Sequence, residues 1–218
     1  MSRLRNKLAM LSGRDTVLSE QYRALRVQLE QGDKDEKQIV AVITPSVGNG
    51  AEEVAANLAI ASAQAGKRTL LLDGDMRAPM IHQVFGLSNA VGFSDVLEGR
   101  SKLESAVQRD VHPNLAVLTA GLRTTVPGDL IGSYPLADLL AQWRTTYDAV
   151  WLNTPPMLSS ADALLLASEC DRSLLVIREG VVTEADAAQL KRIIDNADIP
   201  VIGTILTHHR RRKWLSFG

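Results

Sequence analysis

The apolar run Ile39-Val40-Ala41-Val42-Ile43 leads straight into Thr44-Pro45-Ser46-Val47-Gly48-Asn49-Gly50-Ala51-Glu52, and a helical pattern follows from Val54 to Ala65. A strand that is apolar at every position is buried on both faces, as in parallel sheets covered by helices. A glycine turn between such a strand and a helix is the setting in which backbone N–H groups cradle a phosphate. A working loop of this kind ends in Gly-Lys-Ser/Thr, whereas here Gly50 is followed by Ala51 and Glu52. The expectation is a nucleotide-handling scaffold without the lysine and hydroxyl that do the handling.

The rest of the chain extends the same architecture. Further strands are predicted at 68–73, 115–119, 148–153, 173–177 and 201–206, and helices at 19–31, 133–143, 162–170 and 183–196, with Thr183 as an N-cap. Residues 78–100 read as irregular, broken by Gly86, Gly92 and Gly99. Strands alternating with helices imply an α/β fold with a mainly parallel sheet and helices on both faces. Ligands of such sheets sit at the carboxyl ends of the strands. Thr44, Asp73 and Asn153 all lie at such ends.

Composition narrows the function. Aromatics make up only 4% of the 218 residues, so Leu, Val, Ile and Ala must build the core. A formal net charge of −1 gives no global field for nucleic acid, and none is expected as a partner. Basic residues cluster instead at Arg3, Arg5, Lys7 and Arg14, and again at Arg210, Arg211, Arg212 and Lys213. Cys170 is the only cysteine, which rules out an intrachain disulfide and fits a reducing cytosol. The four histidines show no metal-ligand spacing with it. The Met-Ser-Arg-Leu-Arg start lacks the apolar core of a signal peptide, and no apolar run is long enough for a membrane span. The expected location is cytoplasmic.

Four segments, taken together and in order, resemble one family: the loop at 44–52, Leu70-Leu71-Leu72-Asp73-Gly74-Asp75-Met76-Arg77, Tyr147 to Pro156 with Asn153-Thr154-Pro155-Pro156 at its end, and Glu20-Gln21-Tyr22-Arg23-Ala24-Leu25-Arg26. The chain is similar to the cytoplasmic bacterial tyrosine kinases that partner exopolysaccharide and capsule co-polymerases. The resemblance covers residues 15 to 207 and implies a P-loop NTPase-like fold with ATP and Mg²⁺ as the family's cofactors. It also implies that Asp73 corresponds to the general base for the substrate hydroxyl and Asp75 to a metal partner.

The departures gather where the chemistry belongs. In the family the loop lysine contacts the β- and γ-phosphates and the next hydroxyl binds Mg²⁺. Ala51 has nothing to donate, and losing a charge-assisted contact removes roughly 1.5–3 kcal/mol. Glu52 puts a carboxylate beside the expected anion, a repulsion of roughly 1–4 kcal/mol at about 4 Å. Glu52 and Glu53 also lie in the first helical turn, where they answer the positive end of the helix dipole from within. At the Walker B position Asn153 replaces an acid, so no negative charge is brought to a metal. The family's C-terminal tyrosine cluster is missing as well: Tyr22, Tyr134 and Tyr147 are the only tyrosines.

Gly48, Asn49, Gly50, Ala51, Glu52 and Asn153 therefore read as a degenerate nucleotide site with no cofactor expected. Asp73 and Asp75 read as relics that pair with Arg77 or cap a turn. A weaker alternative is a cation site formed by Glu52, Asp73 and Asp75. The domain reading is a basic segment and oligomerisation helix at 1–37, a kinase-like domain at 38–207 and a basic tail at 208–218. Resemblance assigns Glu20, Arg23 and Arg26 to contacts between subunits of a homo-oligomer. Arg210, Arg211, Arg212 and Lys213 suit an anionic membrane surface.

The function expected is a catalytically impaired subunit, peripheral to the inner face of the membrane, that regulates polysaccharide polymerisation and export through a transmembrane co-polymerase. The alternatives are an active tyrosine kinase using ATP and Mg²⁺, with Lys67, Arg77 or Arg123 replacing the loop lysine, or an ATPase switch like those that position septa and chromosomes.

Overall fold

In a computed structural model of the chain, residues 8–11, 16–29, 37–122 and 126–207 are described. Seven strands form one sheet in the order β3-β4-β2-β5-β1-β6-β7. They are β1 Gln38–Ile43, β2 Thr69–Asp73, β3 Gln108–His112, β4 Leu115–Leu118, β5 Ala149–Asn153, β6 Arg172–Arg178 and β7 Val201–Thr207. Every neighbouring pair is parallel except β3 with β4. The central strands β1, β2 and β5 are almost wholly buried, as their unbroken apolar sequences require.

Alternation along β1 divides the interior into two layers. Val40 and Val42 face a core with α1 (Val17–Leu29), α2 (Ala51–Gln64) and α3 (Ile81–Phe85). Ile39, Ala41 and Ile43 face the opposite core. That core is built with α4 (Phe93–Leu97), α5 (Leu103–Ala106), α6 (Pro127–Ser133), α7 (Leu136–Thr146), α8 (Ala161–Ser168) and α9 (Glu184–Asn196). The mainly parallel sheet with helices on both faces is thus present. Trp151 belongs to the α2 side of the core, its indole N–H on Ser62 Oγ at 3.2 Å.

Several local expectations are corrected. Residues 78–100 are not irregular throughout but contain α3 and α4. The helix read over 133–143 is α7, which starts later, at Leu136 after Pro135, while Ser133 closes α6, which was not expected. The edge strand β3 was not expected. It is polar and half-exposed, and Asp110 at φ 56° interrupts its register with β4. Thr183 does cap α9: its hydroxyl accepts from the Asp186 N–H, and Asp186 accepts from the Thr183 N–H in return.

Candidate functional site at the strand ends

The loop after β1 keeps the backbone of an anion cradle. Gly48 and Gly50 sit at φ 85° and 82°, left-handed conformations that glycine adopts without a Cβ penalty. Asn49, 1% exposed, braces the turn from inside. Its Nδ2 donates to the Ser46 carbonyl at 2.7 Å, and its Oδ1 accepts the Arg178 N–H at 2.7 Å. The Arg178 guanidinium donates to the Gly48 carbonyl at 3.1 Å, and the Thr207 hydroxyl to the Asn49 carbonyl at 2.8 Å. The loop is therefore held by the ends of β6 and β7 as well as by β1. Ala51 opens α2 as a buried residue of the α2-side core, with Glu52 and Glu53 behind it in the first turn.

Asn153 lies beside this loop in register with Val42 on one side and with Asp73 on the other. Its Nδ2 donates to Asp73 Oδ1 at 3.0 Å. Asp73 Oδ1 also accepts the Asp75 N–H at 3.3 Å, and Oδ2 accepts the N–H groups of Met80 and Ile81 at 3.0 and 2.9 Å. Asp73 is wholly buried, and desolvation raises its carboxyl to about 6, against the opposing pull of these hydrogen bonds.

Asp75 turns its Oδ1 to the N–H groups of Arg77 and Ala78, at 3.1 and 2.8 Å. Of the two expected roles, Asp75 takes the turn cap, and the pairing with the Arg77 side chain is corrected. That guanidinium grips Asp162 instead, at 2.7 Å from Nε and 3.3 Å from Nη2, on a carboxylate 2% exposed. Among the described residues no three carboxylate, imidazole or thiol groups converge as a metal site would require, so Glu52, Asp73 and Asp75 do not assemble into the alternative cation site.

The substitute cations fare similarly. Lys67 precedes β2, at the end of that strand opposite Asp73, and Arg77 is committed to Asp162. Arg123 lies outside the described residues, as do the basic clusters at both ends of the chain, including Arg210, Arg211, Arg212 and Lys213. Of the tyrosines, Tyr22 is largely buried against α2, and burial with the nearby Glu53 charge pushes its phenol up to about 12. Tyr147 is buried and shifted upward by desolvation.

On α1, Glu20 and Arg23 form an ion pair within the helix, while Tyr22, Leu25 and Leu29 pack toward α2. Glu20 is exposed, and Arg23 and Arg26 are half-buried. Among the described residues no helix is long and apolar enough to cross a membrane.

Two contributors went unforeseen as parts of the site: Arg178, visible in sequence only as the charge that ends a strand, and Asp162, visible only as a helix start.

No family model matches the chain. It is 34% identical over 218 residues to the tyrosine-protein kinase YwqD of Bacillus subtilis, covering 100% of this chain and 92% of that protein. It is 31% identical over 216 residues to the tyrosine-protein kinase Wzc of Salmonella typhimurium, but spans only 30% of Wzc's length. Among solved structures, the kinase domain of the Escherichia coli tyrosine kinase ETK superposes with a TM-score of 0.84 at 27% identity. That match covers 100% of this chain and 92% of the other.

Proposed function

The chain belongs to the bacterial tyrosine-protein kinase family, and from that membership we propose that it is a kinase-like subunit with impaired phosphoryl transfer. Its role is to regulate exopolysaccharide or capsule polymerisation and export through a transmembrane co-polymerase. The observation that carries this reading is the start of α2, where the buried methyl group of Ala51 and the carboxylate of Glu52 follow Gly50. Phosphoryl transfer relies on positioning and on charge neutralisation at the phosphates, and this segment supplies neither a cation nor a hydroxyl.

The regulatory part of the reading draws on the family resemblance and on α1. Val17, Leu18 and Val27 are exposed apolar side chains around the Glu20–Arg23 pair, a surface suited to assembly with further copies. Peripheral attachment to the membrane comes through the partner.

Calorimetry with ATP and Mg²⁺ tests the impairment, with the native chain beside Ala51→Lys/Glu52→Thr/Asn153→Asp. The expected result is no binding heat from the native chain and restored binding in the triple variant. Micromolar binding by the native chain would refute the impairment. Light scattering of the native chain and of Glu20→Ala/Arg23→Ala tests the assembly.

A further inference from the structure

The family's chemistry calls for a divalent cation at the end of β2, and the side chains present there do not fit one. An ionised carboxylate offers about four lone-pair sites. On Asp73 four are taken: Oδ1 by Asn153 Nδ2 and the Asp75 N–H, and Oδ2 by the N–H groups of Met80 and Ile81. Asp75 spends its Oδ1 on two further backbone donors. Asn153 is 4% exposed and Asp73 is fully covered, so water has little access to either side chain. Against an ionised carboxylate only the amide nitrogen can face Asp73, which fixes the orientation of the Asn153 side chain.

We infer that Asn153 is a positioning residue that stands in for the cation: its amide donor satisfies Asp73 and closes the metal subsite. The segment from Gly74 to Ile81 is then held in shape by a metal-independent latch between β2, β5 and the start of α3. The Gly74 N–H, on the Asn153 carbonyl at 2.8 Å, ties the same two strands through the backbone. This inference rests on the impaired-kinase reading for its setting, but concerns the cation alone, without nucleotide.

Asn153→Asp puts an oxygen where the amide nitrogen stands, 3.0 Å from Asp73 Oδ1. Two carboxylates that close cannot both stay ionised without a proton or a cation between them. The test is thermal unfolding of the native 218-residue chain, Asn153→Asp and Asn153→Ala, each in EDTA and across a MgCl₂ titration with no nucleotide.

The native chain is expected to melt at the same temperature in EDTA and in Mg²⁺. Asn153→Asp is expected to melt lower in EDTA and to recover with Mg²⁺, by about 5–10 °C once the cation is ~100-fold above its Kd. Asn153→Ala, which loses the donor without gaining a ligand, is expected to melt lower and to ignore Mg²⁺. A native melting temperature that climbs with Mg²⁺ would overturn the inference, as would an Asn153→Asp variant as stable in EDTA as the native chain. If Asn153→Asp folds in neither buffer, calorimetric titration of the native chain with MgCl₂ decides. Absence of heat supports the latch, and saturable heat sinks it. ATP binding by the native chain without any response to Mg²⁺ alone would refute the impaired-kinase reading while leaving the latch intact.

Discussion

The glycine loop and the acidic corner at the end of β2 stand side by side at one end of the sheet, and the fold holds them in opposite ways. The loop is defined by its backbone: Gly48 and Gly50 are left-handed and Asn49 is braced on both sides, while Ala51 and Glu52 follow Gly50. The corner keeps its charge, with Asp73 and Asp75 both in place, but turns their oxygens to internal donors. Backbone form and side-chain chemistry are thus separable within one site. The fold holds on to whichever of the two it uses for its own stability.

That contrast breaks most readily at Asp73. Asp73→Ala leaves the buried donors of Asn153, Met80 and Ile81 without an acceptor, a loss expected to reach about 3–5 kcal/mol in urea unfolding. Asn49→Ala in the loop is expected to cost less, about 1–3 kcal/mol, because fewer donors and acceptors lose their partners. Equal losses would mean that the corner is no more structural than the loop.

Glycine substitutions sharpen the same point. A Cβ at Gly74 would lie 2.9 Å from the Asn153 carbonyl oxygen and 2.8 Å from Leu166 Cδ1, whereas one at Gly50 would meet nothing within 4 Å. Gly74→Ala is therefore expected to destabilise by about 2–3 kcal/mol through overpacking. Gly50→Ala pays only the left-handed backbone strain, roughly 1–2 kcal/mol. Chemical denaturation of the two variants side by side ranks them.

Acidity separates two carboxylates at opposite ends of the sheet. Asp73 has its folded-state value raised to about 6, so between about pH 4 and 6 the folded chain binds more protons than the unfolded one. Its contribution therefore falls as pH rises through that window. Asp148, which accepts from Arg68 at 2.7 Å and is lowered to about 2, behaves in reverse. Its stabilisation is complete above about pH 4 and is lost as pH falls toward 2. Desolvation lowers His82, whose contribution rises with pH in the same window, so the test is a difference: from pH 4 to 6 the urea midpoint of the native chain should fall relative to that of Asp73→Asn. A native midpoint that rises relative to Asp73→Asn across this range would contradict the assignment.

The smallest effect is expected at Arg178→Ala. It removes the guanidinium contact to Gly48 yet leaves the backbone N–H that braces Asn49, so the change should stay near 0.5–1 kcal/mol by the same urea measurement.

What the sequence made legible follows from how local each determinant is. The loop was readable because its strand, glycines and helix lie within a continuous stretch of chain. The alternation of apolar runs with helical patterns likewise conveyed the parallel sheet. The Asn153–Asp73 hydrogen bond joins residues 80 positions apart. It depends on β5 lying between β2 and β1, an adjacency that strand order decides and motif spacing does not. Arg77 had acids two and four positions away in sequence, yet it reached Asp162, 85 positions on, through tertiary packing. The strand β3 escaped notice because it lies at an edge with little buried surface and carries Arg109 and Asp110 at its centre. The helices α3 and α4 escaped because five residues are too few to show a helical period.

The hydroxyl of Thr207 on the Asn49 carbonyl carries one more consequence. The last strand of the sheet reaches the glycine loop directly, although the two lie far apart in sequence. Thr207 on β7 and Arg178 on β6 give the loop two anchors at the sheet edge, at 2.8 and 2.7 Å. The loop thus shares its anchorage with the edge of the sheet.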